Sequence, residues 1–236
     1  MTVAIMQPYI FPYLGYYQLV NAVDEFVFFD DVHFINKGWI NRNNLLQQNQ
    51  PYRFTIPLVK ASQNKKIIEI EVADFDKWRK DFLKLVAFNY KKAPHFEFVF
   101  SWLSAFLYKK EYKLIAELAA DSVREVAGLL SIDTRFNYSH AVNYTTAQQQ
   151  DGPAKIIAIC KFLNADKYIN PRNGTELYEK EKFIANNIDL NFINISELKY
   201  TQFKKDIFVP HLSFIDILMF NSLAETKLLL EKYTLS

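Results

Sequence analysis

Residues 2–31 read TVAIMQPYIFPYLGYYQLVNAVDEFVFFDD, and the succession of textures in this stretch decides the fold. The opening TVAIMQ is short and apolar and stops at Pro8. An aromatic loop, PYIFPYLG, follows, and then an apolar-spaced run from Tyr16 to Val23; Leu14, Tyr17, Leu19, Val20 and Val23 fall at helical spacing. Next comes FVFF, a continuous apolar run closed by Asp30 and Asp31, as expected for a strand buried on both faces. Strand, loop, helix, strand predicts a parallel βαβ unit. Ligands of such sheets sit beyond the carboxyl ends of the strands, where Gln7–Tyr13 would meet Asp30–His33.

Outward from this unit, KGWINRNNLLQ is interrupted by Gly38. RFTIPLV and KIIEIEV alternate well enough to predict two short strands joined through ASQNK as a hairpin. From Asp76 the period becomes helical, with Trp78, Phe82, Leu85, Val86 and Tyr90 on one face and Asp74 or Asp76 as N-cap. Further helices are predicted over Phe98–Leu107 and Lys110–Leu130, the latter with Leu114, Leu118, Ser122 and Val126 as its stripe. The α/β texture then returns. TRFNYSH predicts a strand, VNYTTAQQQDG a polar connection, and Pro153 the first turn of a helix ending near Leu163. Asp166–Asn170 predicts a strand, PRNG a loop, Thr175 or Glu176 to about Asn186 a helix, and LNFINI a strand, with Ser213 capping a final helix. The expectation is one α/β domain over residues 1–236, a parallel Rossmann-like sheet with a helical insertion at 76–130 and a short β-hairpin.

Composition narrows the function. The 236 residues carry a formal net charge of +2, 50% hydrophobic and 23% charged residues, enough for a core without staples. Basic residues are interleaved with acids, as in KWRKDFLK, so nucleic acid is not an expected partner. No apolar run approaches the roughly 18–20 residues of a membrane helix, and no Lys or Arg precedes Lys37, so a cytoplasmic location without a membrane span is expected. The single cysteine, Cys160, lies in IIAICKFL and reads as a buried inert thiol. The five glycines are too dispersed for G-x-G-x-x-G, a Walker loop or G-x-S-x-G, and the four histidines form no H-E-x-x-H helix. Any phosphate must be held by side chains or a helix N-terminus, and the sequence announces no metal site.

Three polar clusters carry the candidate chemistry. The first is Gln7 with Tyr9, Tyr13 and Tyr16 around Gly15. The second is Asp30, Asp31 and His33, continuing to Lys37, Asn41, Arg42 and Asn43; adjacent acids after FVFF with a histidine two residues on make these three the candidate catalytic group. The third is Asn170, Arg172 and Asn173 beside Gly174, placed to bind an anion ahead of a helix. Lys37 and Arg42 could clamp phosphate or carboxylate. Asp216, on an apolar helix face, needs a partner if buried and is either a hydrogen-bond anchor or a site acid.

The stretch IMQPYIFPYLGYYQLVNAVDEFVFFDDVHFINKGWINRN resembles the opening of the WbqC-like family, M-Q-P-Y-x-F-P-Y-x-G-Y-x-Q-L followed by D-D and G-W-I-N-R-N. WRK, KAP, the Tyr168–Tyr178 loop and FVPHLSFIDILMFN extend the likeness over nearly the whole chain. The resemblance implies a role in O-antigen or other surface-polysaccharide biosynthesis, alongside amino-sugar enzymes. The layout also resembles the HIGH-motif nucleotidylyltransferases, with Tyr13-Leu14-Gly15-Tyr16 in place of H-x-G-H. Tyrosine cannot supply an imidazolium charge, so Lys37, Arg42 or Arg172 would have to.

Together these readings suggest an enzyme that transfers an amino acid or acyl group to the amine of a nucleotide-linked amino sugar. In an adenylate version ATP with Mg²⁺ would be the cofactor, Arg42 and Arg172 would face phosphate, Gln7 and Tyr13 would orient the acid, and Asp30 or Asp31 would deprotonate the ammonium. The alternatives are a non-catalytic sugar- or nucleotide-binding protein, with Tyr9, Phe11, Tyr13 and Tyr16 as a stacking lip, and a scaffold for polysaccharide enzymes.

Overall fold

The computed structural model describes residues 1–142, 144, 152–195, 199–204 and 207–236. In chain order the elements are β1 (Thr2–Met6), α1 (Leu14–Asn21), β2 (Glu25–Phe28), β3 (Arg42–Gln47), β4 (Gln50–Thr55), β5 (Leu58–Val59), β6 (Glu71–Val72), α2 (Phe75–Tyr90), α3 (Phe96–Tyr108), α4 (Ile115–Leu129), β7 (Arg135–Tyr138), α5 (Gly152–Phe162), β8 (Lys167–Pro171), α6 (Lys180–Ile184), β9 (Asp189–Ile195), α7 (Phe214–Phe220), α8 (Leu223–Leu230) and β10 (Tyr233–Leu235).

The main sheet has six strands in the order β10-β9-β8-β1-β2-β7, parallel except for β10. After β7 the chain crosses back to the far side of β1, so the strand order reverses between β1 and β8. The period of two along each strand builds two cores. Ala4, Phe26 and Phe28 join the cluster that includes α1, the α2–α4 block and α7. Val3, Ile5, Val27 and Phe29 join Ile156, Ile159, Cys160 and Phe183 on the other face. Covering on both faces explains why the central strands read as unbroken apolar runs.

Two local expectations need correction. RFTIPLV does not form one strand, because Arg53–Thr55 belongs to β4 and pairs with β3, the long hairpin turning at Gln48 and Asn49, both at positive φ. The anticipated hairpin shrinks to β5 and β6, with Ile67–Glu69 a 3-10 turn. The helix anticipated from Thr175 or Glu176 is instead a 3-10 segment, Arg172–Leu177, followed by the short α6. Most of VNYTTAQQQDG lies outside the described residues.

Candidate functional site

The parallel registers place four strand ends on one edge. Met6 pairs with Phe28, Phe28 with Tyr138, and Val3 with Tyr168, so Gln7, Asp30, Ser139 and Arg172 all follow strands leaving the sheet in the same direction. At about 4.8 Å per strand the edge from β8 to β7 spans roughly 15 Å, the length of a sugar with one attached group.

At its β2–β7 end two carboxylates are held by the segment after β7. Asp30 is buried. Its Oδ2 lies 2.6 Å from His140 Nδ1, and its Oδ1 accepts the His140 backbone N–H at 3.2 Å. The Asp30 N–H donates to Ser139 Oγ at 3.1 Å, and Ser139 Oγ donates to Asp31 Oδ1 at 2.5 Å. Asp31 Oδ2 accepts the Tyr144 hydroxyl. Burial, then the hydrogen bond and charge of Asp31, push the Tyr144 phenol above its ordinary range, so it stays a donor. A carboxylate only accepts, so Nδ1 is the ring nitrogen that donates to Asp30, and in the neutral imidazole Nε2 is the one left with a lone pair. The His140 side chain is 42% exposed whereas Asp30's is 1% exposed. The cluster therefore presents a partly exposed imidazole backed by a buried acid. Ser139, fully buried with its proton on Asp31, is no nucleophile. Tyr138 packs its ring 5.3 Å from His140, and its hydroxyl accepts from Arg124 at 2.8 Å.

At the β1 end the Pro8–Tyr13 loop is locked. Phe11 has φ +39°, a conformation costing a bulky residue about 1–3 kcal/mol, and three side chains enforce it. Its N–H donates to Ser122 Oγ at 3.0 Å, and its carbonyl accepts Asn43 Nδ2 at 2.6 Å and Ser213 Oγ at 2.9 Å. The Phe11 ring sits between Phe82, Trp102 and Phe106 of the helical block. This leaves Tyr9 and Tyr13 half-buried, within 6.5 Å of each other, with Trp39 at 6.2 Å from Tyr9 and His211 at 6.4 Å from Tyr13. Burial raises the phenols of Tyr9 and Tyr13, so both are neutral donors.

The predicted residues divide by what their polar atoms do. Gln7, Asp30, Asp31, Asn170 and Arg172 share the carboxyl edge. Tyr16 is buried and donates to the Gln7 carbonyl at 2.9 Å. A Cβ at Gly15 would run into the Ile195 side chain and the Tyr13 ring, so this glycine serves close packing against β9. The segment Tyr13–Tyr16 therefore offers a phosphate no donor pair, and the fit to an H-x-G-H role fails. Asn43 serves Phe11, and Asn41 Nδ2 donates to the Ile56 carbonyl at 2.8 Å. Arg42 lies on β3, half-buried, with no ion pair among the described residues. Asn170 Nδ2 donates to Tyr168 at 2.6 Å and to Tyr178 at 3.3 Å, with Gly174 so close that a Cβ would meet Asn170 Oδ1. Arg172 is exposed at the end of β8, and the Asn173 side chain lies outside the described residues. His33 and Lys37 are exposed, and His33 pairs across to Lys66 rather than to either aspartate.

Sequence reasoning missed His140. The available signal was a Ser-His pair closing the strand TRFNYSH, but only the β2–β7 pairing brings it to Asp30. Elsewhere, Asp216 is fully buried and accepts from Tyr90 at 2.8 Å, Tyr200 at 2.5 Å and Gln202 at 2.9 Å, an internal anchor. Burial pushes the Cys160 thiol up to about 12, which keeps it unreactive. A groove of about 570 Å³ beside α3 and α4 is lined by Lys109, Lys110 and Arg124, each already paired with an acid. Among the described residues no group of three His, Cys, Asp or Glu could hold a metal ion, and no helix is long and apolar enough to cross a membrane.

The sequence pattern of the WbqC-like protein family matches residues 7–228. The chain is also 27% identical over 227 residues to a Mycobacterium tuberculosis (strain ATCC 25618 / H37Rv) protein described as "Uncharacterized protein Rv1507c", covering 94% of each chain. No solved structure matches.

Proposed function

The chain belongs to the WbqC-like protein family, which suggests a role in polysaccharide-related biosynthesis, and on that premise we propose that it transfers an acyl group, such as an amino acid, to the amine of a nucleotide-linked amino sugar. The observation that carries this reading is the Asp30–His140 pair at 2.6 Å, its imidazole partly exposed on the carboxyl edge of a parallel sheet. His140 Nε2 takes a proton from the sugar ammonium, and Asp30 holds the ring and balances the imidazolium. The neutral amine adds to the acyl carbon of a donor that arrives activated. The carbon–nitrogen bond forms with loss of a second proton to the surroundings or the leaving group, and the bond to the leaving group breaks with its electron pair. Tyr9, Tyr13 and Trp39 supply stacking surface for the sugar, and the locked backbone at Phe11 fixes their direction. The reaction is placed in the cytoplasm, where nucleotide-linked sugars are made, and within one domain over residues 1–236.

The test is mass spectrometry of nucleotide-linked amino sugars incubated with activated acyl donors. An N-acyl product formed by the wild type and lost in His140→Gln is expected. Product formed equally by His140→Gln would remove the mechanism. Ligand binding without product would instead favour the sugar-binding reading, for which the half-exposed Trp39 beside Tyr9 is the specific support.

A further inference from the structure

The chain after β2 is not alone at the edge. Residues 65–68 run antiparallel beside 30–34, with Phe34 N–H on the Lys65 carbonyl at 2.9 Å, Ile67 N–H on the Val32 carbonyl at 2.9 Å and Ile68 N–H on the Asp30 carbonyl at 3.0 Å. His33 stands directly opposite Lys66, so their side chains leave the same face about 5 Å apart. Lys65 precedes Lys66 at the end of the Ser62–Lys65 turn, and Lys37 follows in the next loop at φ +61°. All four side chains are exposed, and among the described residues none has a carboxylate within ion-pair distance.

Lys66 brings a positive charge opposite the His33 imidazole, and no acid lies in that pair. Here the nearby acids are committed elsewhere. Asp30 is taken by His140, Asp31 by Ser139 and Tyr144, and Glu69 by the Lys66 backbone N–H at 2.6 Å. Among the described residues the lysines of the rim therefore stand without an ion pair, within one strand spacing of a carboxylate cluster that keeps its own charge. That juxtaposition fits a ligand with one anionic pole and one amine pole.

We propose that His33, Lys37, Lys65 and Lys66 form an anion clamp for the diphosphate of a nucleotide-linked sugar. The identity of the attached group rests on the acyl-acceptor reading above; the diphosphate site itself does not. Isothermal titration at low ionic strength with inorganic pyrophosphate, and separately with UDP, tests it. Both are expected to bind the wild type and to bind Lys65→Gln/Lys66→Gln about tenfold or more weakly, with loss of affinity in salt. Lys161→Gln/Lys227→Gln, exposed on other helices, should bind as the wild type does. No binding to the wild type, equal binding by the rim variant, or equal weakening in the control pair would each overturn the clamp. His140→Gln separates the two readings. If it keeps both pyrophosphate binding and turnover, the acyl-transfer reading fails and the clamp stands. If it loses turnover while the rim variant binds like the wild type, the clamp fails and the acyl-transfer reading stands.

Discussion

Two buried aspartates organise this protein, and they differ in where their hydrogen bonds lead. Asp216 accepts from Tyr90, Tyr200 and Gln202, and the same network closes on itself: Tyr90 takes the Leu46 N–H, while Gln202 clamps both backbone groups of Val209. Asp30 accepts from His140, whose ring is partly exposed. Both carboxyls are fully buried, so burial does not separate structure from chemistry. The distinction is whether the network terminates in a partly exposed titratable group.

The largest effect that could break this contrast is kinetic. His140→Gln and Asp30→Asn are expected to lower acyl-transfer rates by about 10²–10⁴-fold, the first by removing the base and the second by disturbing its tautomer. Urea unfolding should show little loss for His140→Gln, because that ring is partly exposed. The reverse profile is expected for Asp216→Ala. Leaving three donors unpaired should cost about 3 kcal/mol or more in urea unfolding while the remaining folded protein keeps its turnover.

A pH series sharpens the same comparison. Burial pushes the Asp216 carboxyl up to about 6, against the three donors that favour its charge. The folded state therefore holds a proton that the unfolded chain has released between about pH 4 and 6. Stability from this group is present below about pH 4 and falls as pH rises through 6, by about 3 kcal/mol at most. The difference in unfolding free energy between wild type and Asp216→Asn should follow that slope. The smallest effect is expected at Tyr144→Phe, which removes one of the donors to Asp31 and should lower turnover by about tenfold or less, read from initial rates.

The fold was legible where the physics is local. FVFF closed by acids, and TVAIM before Pro8, predict strands covered on both faces, and they form the sheet centre. The β3–β4 hairpin was not, because RNNLLQ and QPYRFT carry little alternation and β4 is mostly exposed. Its register is set instead by the left-handed Gln48–Asn49 turn and by Asn43 reaching into the Pro8–Tyr13 loop. In the candidate site, Asp30 and Asp31 stood out as paired acids at a strand end. His140 did not, because 110 residues separate it from Asp30 and no local pattern marks a residue whose partner arrives through sheet pairing. Asn41 and Asn43 look alike in NRNN to residues that would face a ligand, yet both amides hold backbone carbonyls.

The central claim is that Asp30 holds His140 with Nδ1 protonated and Nε2 available as a base. Nitrogen-15 NMR of the imidazoles reads this directly, since only His33, His95, His140 and His211 contribute and His140→Gln assigns the signal. The account predicts a His140 whose Nδ1 is protonated and whose Nε2 resonance shifts when a nucleotide-linked amino sugar is added. An Nε2–H form, or an Nε2 signal unmoved by saturating ligand, would contradict it.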